Sequence, residues 1–427
     1  MRSLWVLGVL AIGCGGGSTD PHLIAGGGVG GGDIGGTLNV FVIDTQTYIP
    51  IVNAMVHVGA DTKMTDEQGL VSFDVSGKQT VAVKADGYRS SAWIGVNGVN
   101  VTMPMTALSA SAPPQATLSG TVEGWAQDLP AGHIKATLVT YSQTDEVGSN
   151  ENSLSTPANM NICLGVAQCA WSVVARTGKV TIIGATIDRD GKGTVSDTDD
   201  TNTVIGWSYK ADLTVEDGIN QSGIVLAPVE AGNLQDVTVD LGAPPAALTQ
   251  HNALIGIETT NGDGDKNLVQ LPLFLNTDQT HMLTPKPAVF DPDGTYRLTA
   301  IANTATVDSA QSIVLRQKLV GTALAAGAWL QPPTGVTVSR SHAAFDLVDG
   351  AIGHSVQWDS AQGQTVLEIT AFDGTHDFDV PALLDLPAGT YKARVQAIAA
   401  DFKVNDFSLD DDADQLHGIS AQPATVN

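Results

Sequence analysis

The stretch "LVSFDV", Leu70 to Val75, decides the fold class. Val71, Phe73 and Val75 alternate with Ser72 and Asp74, the period of two expected of a strand with one face buried and the other toward water. The same grammar recurs on both sides in "LNVFVID", "AMVHVGA", "TVAVKA" and "VNVTMPM". Each is short, rich in Val, Thr and Phe, and bounded by Gly, Asp, Asn or Pro. No segment sustains a helical period over three turns, so the chain reads as all-β.

Proline and alanine stretches divide the strand series. "ALSASAPPQ" spans Ala107 to Gln115 and "GAPPAAL" spans Gly242 to Leu248, each after a similar closing strand, "NVTMPM" and "DVTVDL". A Pro-Pro pair in "WLQPPTGVTV", Trp329 to Val338, opens a further series. The expectation is a set of tandem β-sandwich modules over residues 36–106, 116–242, 249–328 and 329–427.

Ahead of them lies a different kind of sequence. Residues 1–13 hold one positive residue, Arg2, then an apolar run from Leu4 to Ile12, the pattern of an export signal. That run falls well short of the ~20 apolar residues that cross a bilayer. "LAIGC" resembles the bacterial lipobox, with Ala11 in place of the leucine usual there and Leu10 one position earlier. The resemblance implies that Cys14 becomes the lipid-modified first residue and that the protein is held on the outer membrane. Gly15 after Cys14, rather than Asp, implies no retention at the inner membrane. The alternative is an ordinary secretory signal cut nearby. Residues 14–35 are glycine-rich enough to act as a flexible N-terminal tether between membrane and folded modules.

Composition narrows the partners. The chain of 427 residues carries a formal net charge of −25, and so many uncompensated carboxylates repel a phosphate backbone, which excludes nucleic acid. With 43% hydrophobic and only 15% charged residues, there is enough apolar material to build cores. Apart from Cys14 there are two cysteines, Cys163 and Cys169 in "CLGVAQC". In an exported chain such a pair is expected to form a disulfide; the alternative is two free thiols.

Two modules carry family resemblances. From Gly36 to about Met105 the order is "GTLNVFVID", then Pro50 and "AMVHV", then "TDEQGLVSF" with Thr65, Asp66 and Gly69, then "VAVKADGY" ending in Gly87 and Tyr88. This order resembles the carboxypeptidase regulatory-like, or transthyretin-like, domain. In metallocarboxypeptidases that module accompanies a zinc peptidase with a His-x-x-Glu pair, and none of the nine histidines here is followed by Glu at that spacing. The resemblance therefore implies a spacer or binding domain without the peptidase. Near the C-terminus, "LPAGTYKARVQAIA", Leu386 to Ala399, resembles the turn, tyrosine and alternating strand of a fibronectin type III or related immunoglobulin-like sandwich.

One segment has the residue types of a cation site. In "DRDGKGTVSDTDD", Asp188, Asp190, Thr194, Ser196 and Asp199 fall at positions 1, 3, 7, 9 and 12 of a twelve-residue calcium loop, with Gly193 at 6 and Val195 at 8. Alternate residues of a curled loop aim oxygens at one centre, as a hard cation requires. Lys192 stands at position 5, where an oxygen ligand belongs, and Asp199 replaces the longer Glu. Two readings stay open here, a calcium loop and a solvated acidic turn. "NGDGDKN" and "DPDG" are ordinary turn formers.

No nucleophile or acid–base constellation emerges. "GHSVQ", Gly353 to Gln357, lacks the second glycine of a nucleophile elbow, and His354, Val356 and Trp358 share a strand face suited to core packing. The expected function is non-catalytic: a cell-envelope lipoprotein, facing the periplasm or the outside, acting in extracytoplasmic binding, adhesion or scaffolding. Its partner would be an unidentified protein or glycan. The rival expectation is a periplasmic accessory subunit of an envelope secretion or transport assembly.

Overall fold

The computed structural model describes residues 34–45, 47, 49–108, 114–124, 129–143, 161–164, 168–192, 201–260, 266–276, 280–304, 309–401 and 416–426. Regular structure within them is β throughout, apart from three single-turn helical segments. Cys14 and the glycine-rich residues 14–33 lie outside the described residues.

Residues 34–105 fold as a sandwich. One layer is a three-stranded sheet in which Gly35–Asp44 pairs antiparallel with Leu70–Ser76 and parallel with Asn100–Met105. The other layer joins Met55–Val58, Asp61–Met64, Gln79–Lys84 and Ser90–Val96. The alternation read in "LVSFDV" is realised here: Val71 and Phe73 point into the core while Ser72 and Asp74 stay exposed. Leu38, Val40, Val56, Val81 and Met103 complete that core. Gly69 takes φ +70° and Gly87 φ +83°, so both turns use the conformational freedom that only glycine has cheaply.

Residues 115–228 build a seven-stranded sheet whose two ends meet. Asn161–Leu164 forms one end beside His133–Gln143, and Ala170–Arg176 forms the other beside Gln115–Val122. Between them run two long strands, Gly178–Asp190 and Thr201–Val215. Val180 and Ile182 turn inward to a core with Leu118, Val139, Tyr141 and Trp171. Ile183, Ala185 and Trp207 instead join the core of the next unit, against Ile255, Leu271 and Leu298. Burial on both faces therefore fastens this sheet to its neighbour. Trp207 Nε1–H donates to the Leu283 carbonyl (2.7 Å) and Gln270 N–H to Ser142 Oγ (2.8 Å) across the same contact.

The rest of the chain is organised by one continuous sheet of twelve strands. Lys266–Asn276, Gln250–Thr260, Thr295–Asn303 and Gln311–Leu319 make its first third. Leu416–Thr425, Tyr391–Ala400, Gly353–Ser360 and Thr365–Ala371 make the middle, and the four strands of the N-terminal sandwich complete it. Spatial order thus departs from chain order, because the N-terminal sandwich docks on the C-terminal one. The join is the parallel pairing of Ser90–Ile94 with Leu367–Ala371. Ala82 and Ala92 consequently belong to the C-terminal core with Val356, Trp358, Leu367 and Val395. His354 is buried on the same strand with Val356 and Trp358, and Ser355 and Gln357 on its other face are buried as well.

Candidate functional site

The acidic segment begins on the strand Gly178–Asp190, whose partner His133–Gln143 brings His133 directly opposite Asp190. Since Asp188 and Asp190 are two apart on a strand, they share a face, and the His133 ring lies between them. His133 Nδ1 is 2.9 Å from Asp188 Oδ1, and its Nε2 is 3.8 Å from Asp190 Oδ1. Lys192, in the left-handed region at φ +51°, turns back on Asp190. Its backbone N–H donates to Asp190 Oδ1 (2.9 Å) and its ammonium to Oδ2. Those hydrogen bonds hold the Asp190 carboxyl below the usual carboxylate range.

The strand pairing thus brings Asp188 and Asp190 together with a histidine that the sequence reading did not include. Thr194, Ser196 and Asp199 lie outside the described residues. Among the described residues, no group of three or more His, Cys, Asp or Glu side chains is arranged to hold a metal ion.

The cysteine pair is a disulfide. Cys163 and Cys169 are bonded at 2.02 Å with Cα atoms 5.4 Å apart, and both are buried against the core that contains Trp171. Val122 N–H donates to the Cys169 carbonyl (3.0 Å), so the bridge is also tied to the strand Gln115–Val122.

A second polar cluster, absent from the sequence reading, sits where the two terminal sandwiches meet. Arg89 Nη2 is 2.7 Å from Glu368 Oε2, with the Glu368 side chain only 6% exposed. The other carboxylate oxygen accepts from Ser355 Oγ (2.9 Å) and Gln357 Nε2 (3.1 Å). Burying a charge is costly unless it is paired and hydrogen-bonded, and here both oxygens are engaged. One signal for it was in the sequence: Glu368 is the sole charged residue of the strand "TVLEITA". Its partner could not be inferred, since Arg89 belongs to a different sandwich.

His354 is a buried histidine whose surroundings disfavour its charged form. Burial, and secondly the charge of His376, depress it to about 4. Its Nε2 accepts the Val348 N–H (3.1 Å) and its ring packs on Phe345 at 5.2 Å, so its surroundings are those of a neutral core histidine. An open cleft lies between residues 333–338 and the end of the last strand, lined by Thr334, Thr337, Gln422, Pro423 and Thr425 among others. Its lining carries hydroxyl, amide and apolar groups and no titratable side chain, which gives it no acid–base chemistry of its own.

No protein-family model matches this sequence. No curated protein matches it either. Among solved structures it is similar to the TIE protein of Bacillus anthracis, at 12% identity and a TM-score of 0.15, over 68% of this chain and 49% of that one. It is also similar to the full-length major pilin SpaD of Corynebacterium diphtheriae, at 10% identity and a TM-score of 0.14, over 68% of this chain and 95% of that one. The match thus spans about half the length of the TIE protein.

Proposed function

We propose that this protein is a non-catalytic cell-envelope lipoprotein, anchored in the outer membrane through Cys14, that acts in extracytoplasmic binding, adhesion or scaffolding. The observation that carries the proposal is the Cys163–Cys169 disulfide, buried in a core. Structural disulfides persist in oxidising compartments, which suits an exported chain. The shared twelve-stranded sheet is in keeping with it, since such a sheet joins separate sandwiches into one scaffold. The division into modules at residues 36–106, 116–242, 249–328 and 329–427 belongs to the same proposal.

Calcium is the cation we propose for the loop from Asp188 to Asp199. It must displace His133 from Asp188 and Lys192 from Asp190, so binding falls at the weak end, around 10⁻⁴ to 10⁻³ M. A melting temperature that rises across this calcium range, and no longer rises in Asp188→Ala with Asp190→Ala, supports the loop; indifference to calcium returns it to a solvated turn.

The anchoring test is fractionation. Cys14→Ser is expected to release the protein from the membrane fraction, and retention without an acyl mass on the mature N-terminus overturns the anchor. Protease added to intact cells then distinguishes an outward-facing adhesin, which is cut, from a periplasmic subunit, which is spared.

A further inference from the structure

The junction between the terminal sandwiches is built unlike the rest of the twelve-stranded sheet. Every other pairing in that sheet is antiparallel, and this one is parallel. It rests on the five pairs from Leu367–Ser90 to Ala371–Ile94. Beside them, Trp93 meets Phe372 edge-on at 5.6 Å and Phe372 N–H donates to the Ile94 carbonyl (3.2 Å). At the opposite end of the pairing stands the buried Arg89–Glu368 ion pair.

We propose that this junction is a releasable joint. Ser90–Val96 and Thr365–Ala371 part together, ahead of the sandwiches to which each belongs, and the Arg89–Glu368 pair sets how readily they do so. Two physical arguments support it. Strands linked by a tight hairpin re-form as soon as they separate, whereas these two lie far apart in the chain and no short connection holds one beside the other once they part. A buried ion pair, moreover, recovers little net stability beyond its desolvation cost, yet removing one partner strands the other charge. Such a pair therefore serves registry: two apolar strands could otherwise pair parallel in a slipped frame, and only the observed frame brings Glu368 to Arg89. Opening the joint breaks the continuity of the twelve-stranded sheet between the N-terminal sandwich and the C-terminal one, and leaves the apolar packing of Ala82 in the C-terminal core as the contact that remains near it. The inference stands on the geometry of the joint alone and does not depend on the envelope reading.

Native-state hydrogen exchange of the full chain tests it. The amides of Ser90–Val96 and Thr365–Ala371 that face the junction are expected to exchange through a common opening, with protection below that of Gly35–Asp44, Leu70–Ser76 and Tyr391–Ala400. Glu368→Gln, which keeps the shape and removes the charge, is expected to speed exchange on both junction strands by about tenfold or more and to leave the other three unchanged. Exchange of the junction strands only through global unfolding overturns the proposal, as does a variant that speeds all five strands alike or none. Should Glu368→Gln fail to fold, the wild-type ranking of the five strands decides the question by itself.

Discussion

Cys163 is bonded to Cys169, and through that one bond the two ends of the seven-stranded sheet are fastened to each other. Cys163 lies in the terminal strand Asn161–Leu164, and Cys169 immediately precedes the opposite terminal strand, Ala170–Arg176. A bridge of six positions is short in sequence, yet it closes a sheet that extends over more than one hundred residues.

Cys163→Ser with Cys169→Ser is therefore expected to destabilise this unit by about 2 kcal/mol, the loop-entropy contribution of so small a ring. The change should appear as a lower urea midpoint in the variant and in the reduced wild type alike. If reduction leaves the midpoint where it was, the bridge does not support the closed sheet.

Two turn glycines separate backbone strain from crowding. At Gly69, φ is +70° and an added Cβ would stand 2.7 Å from the Val42 carbonyl oxygen and 2.9 Å from Pro50 Cβ. At Gly87, φ is +83° and nothing lies within 4 Å. Gly87→Ala should cost about 1 kcal/mol, the strain of a left-handed residue, and Gly69→Ala at least about 2 kcal/mol more because backbone must also move. Chemical denaturation of the two variants side by side is the check, and equal losses would contradict the crowding at Gly69.

His354 makes stability depend on acidity with a definite sign. Its folded value of about 4 lies below the ordinary 6.5, so the unfolded chain binds the proton more readily. The contribution is fully present above pH 6.5 and is lost as pH falls toward 4. Over that window the loss amounts to about 3 kcal/mol at most. Unfolding free energies between pH 7 and 4.5 should fall more steeply in wild type than in His354→Gln, and parallel profiles would place the acid sensitivity elsewhere.

Trp207 tests the contact between the seven-stranded sheet and the unit packed against it, whose strand His281–Pro285 supplies the acceptor. Trp207→Phe removes the indole N–H, leaves the Leu283 carbonyl without that donor, and reduces volume in a shared core. A cost of about 1–3 kcal/mol is expected. Because the core belongs to both units, their unfolding transitions should shift together, as scanning calorimetry would record; a shift confined to one transition would mean that the two fold independently.

How much of this was legible beforehand follows from the range of each interaction. The period of two in "LVSFDV", the turn glycines Gly69 and Gly87, and the core face of His354, Val356 and Trp358 are local properties. Each depends on which side of one strand a residue takes, so the sequence alone determined the all-β class and much of the core. The cysteine pairing was within reach because the two residues lie close in sequence and an exported chain meets an oxidising compartment. His133 beside Asp188, Arg89 beside Glu368, and the docking of Ser90–Val96 on Thr365–Ala371 belong to another kind of contact. A strand's edge offers the same backbone N–H and C=O groups whatever its sequence, so nothing local says which distant edge it will meet. Only the tertiary structure decided that the first sandwich folds back onto the last, because that choice is made by the combined fit of five residue pairs along one strand pairing, one aromatic contact and one buried ion pair.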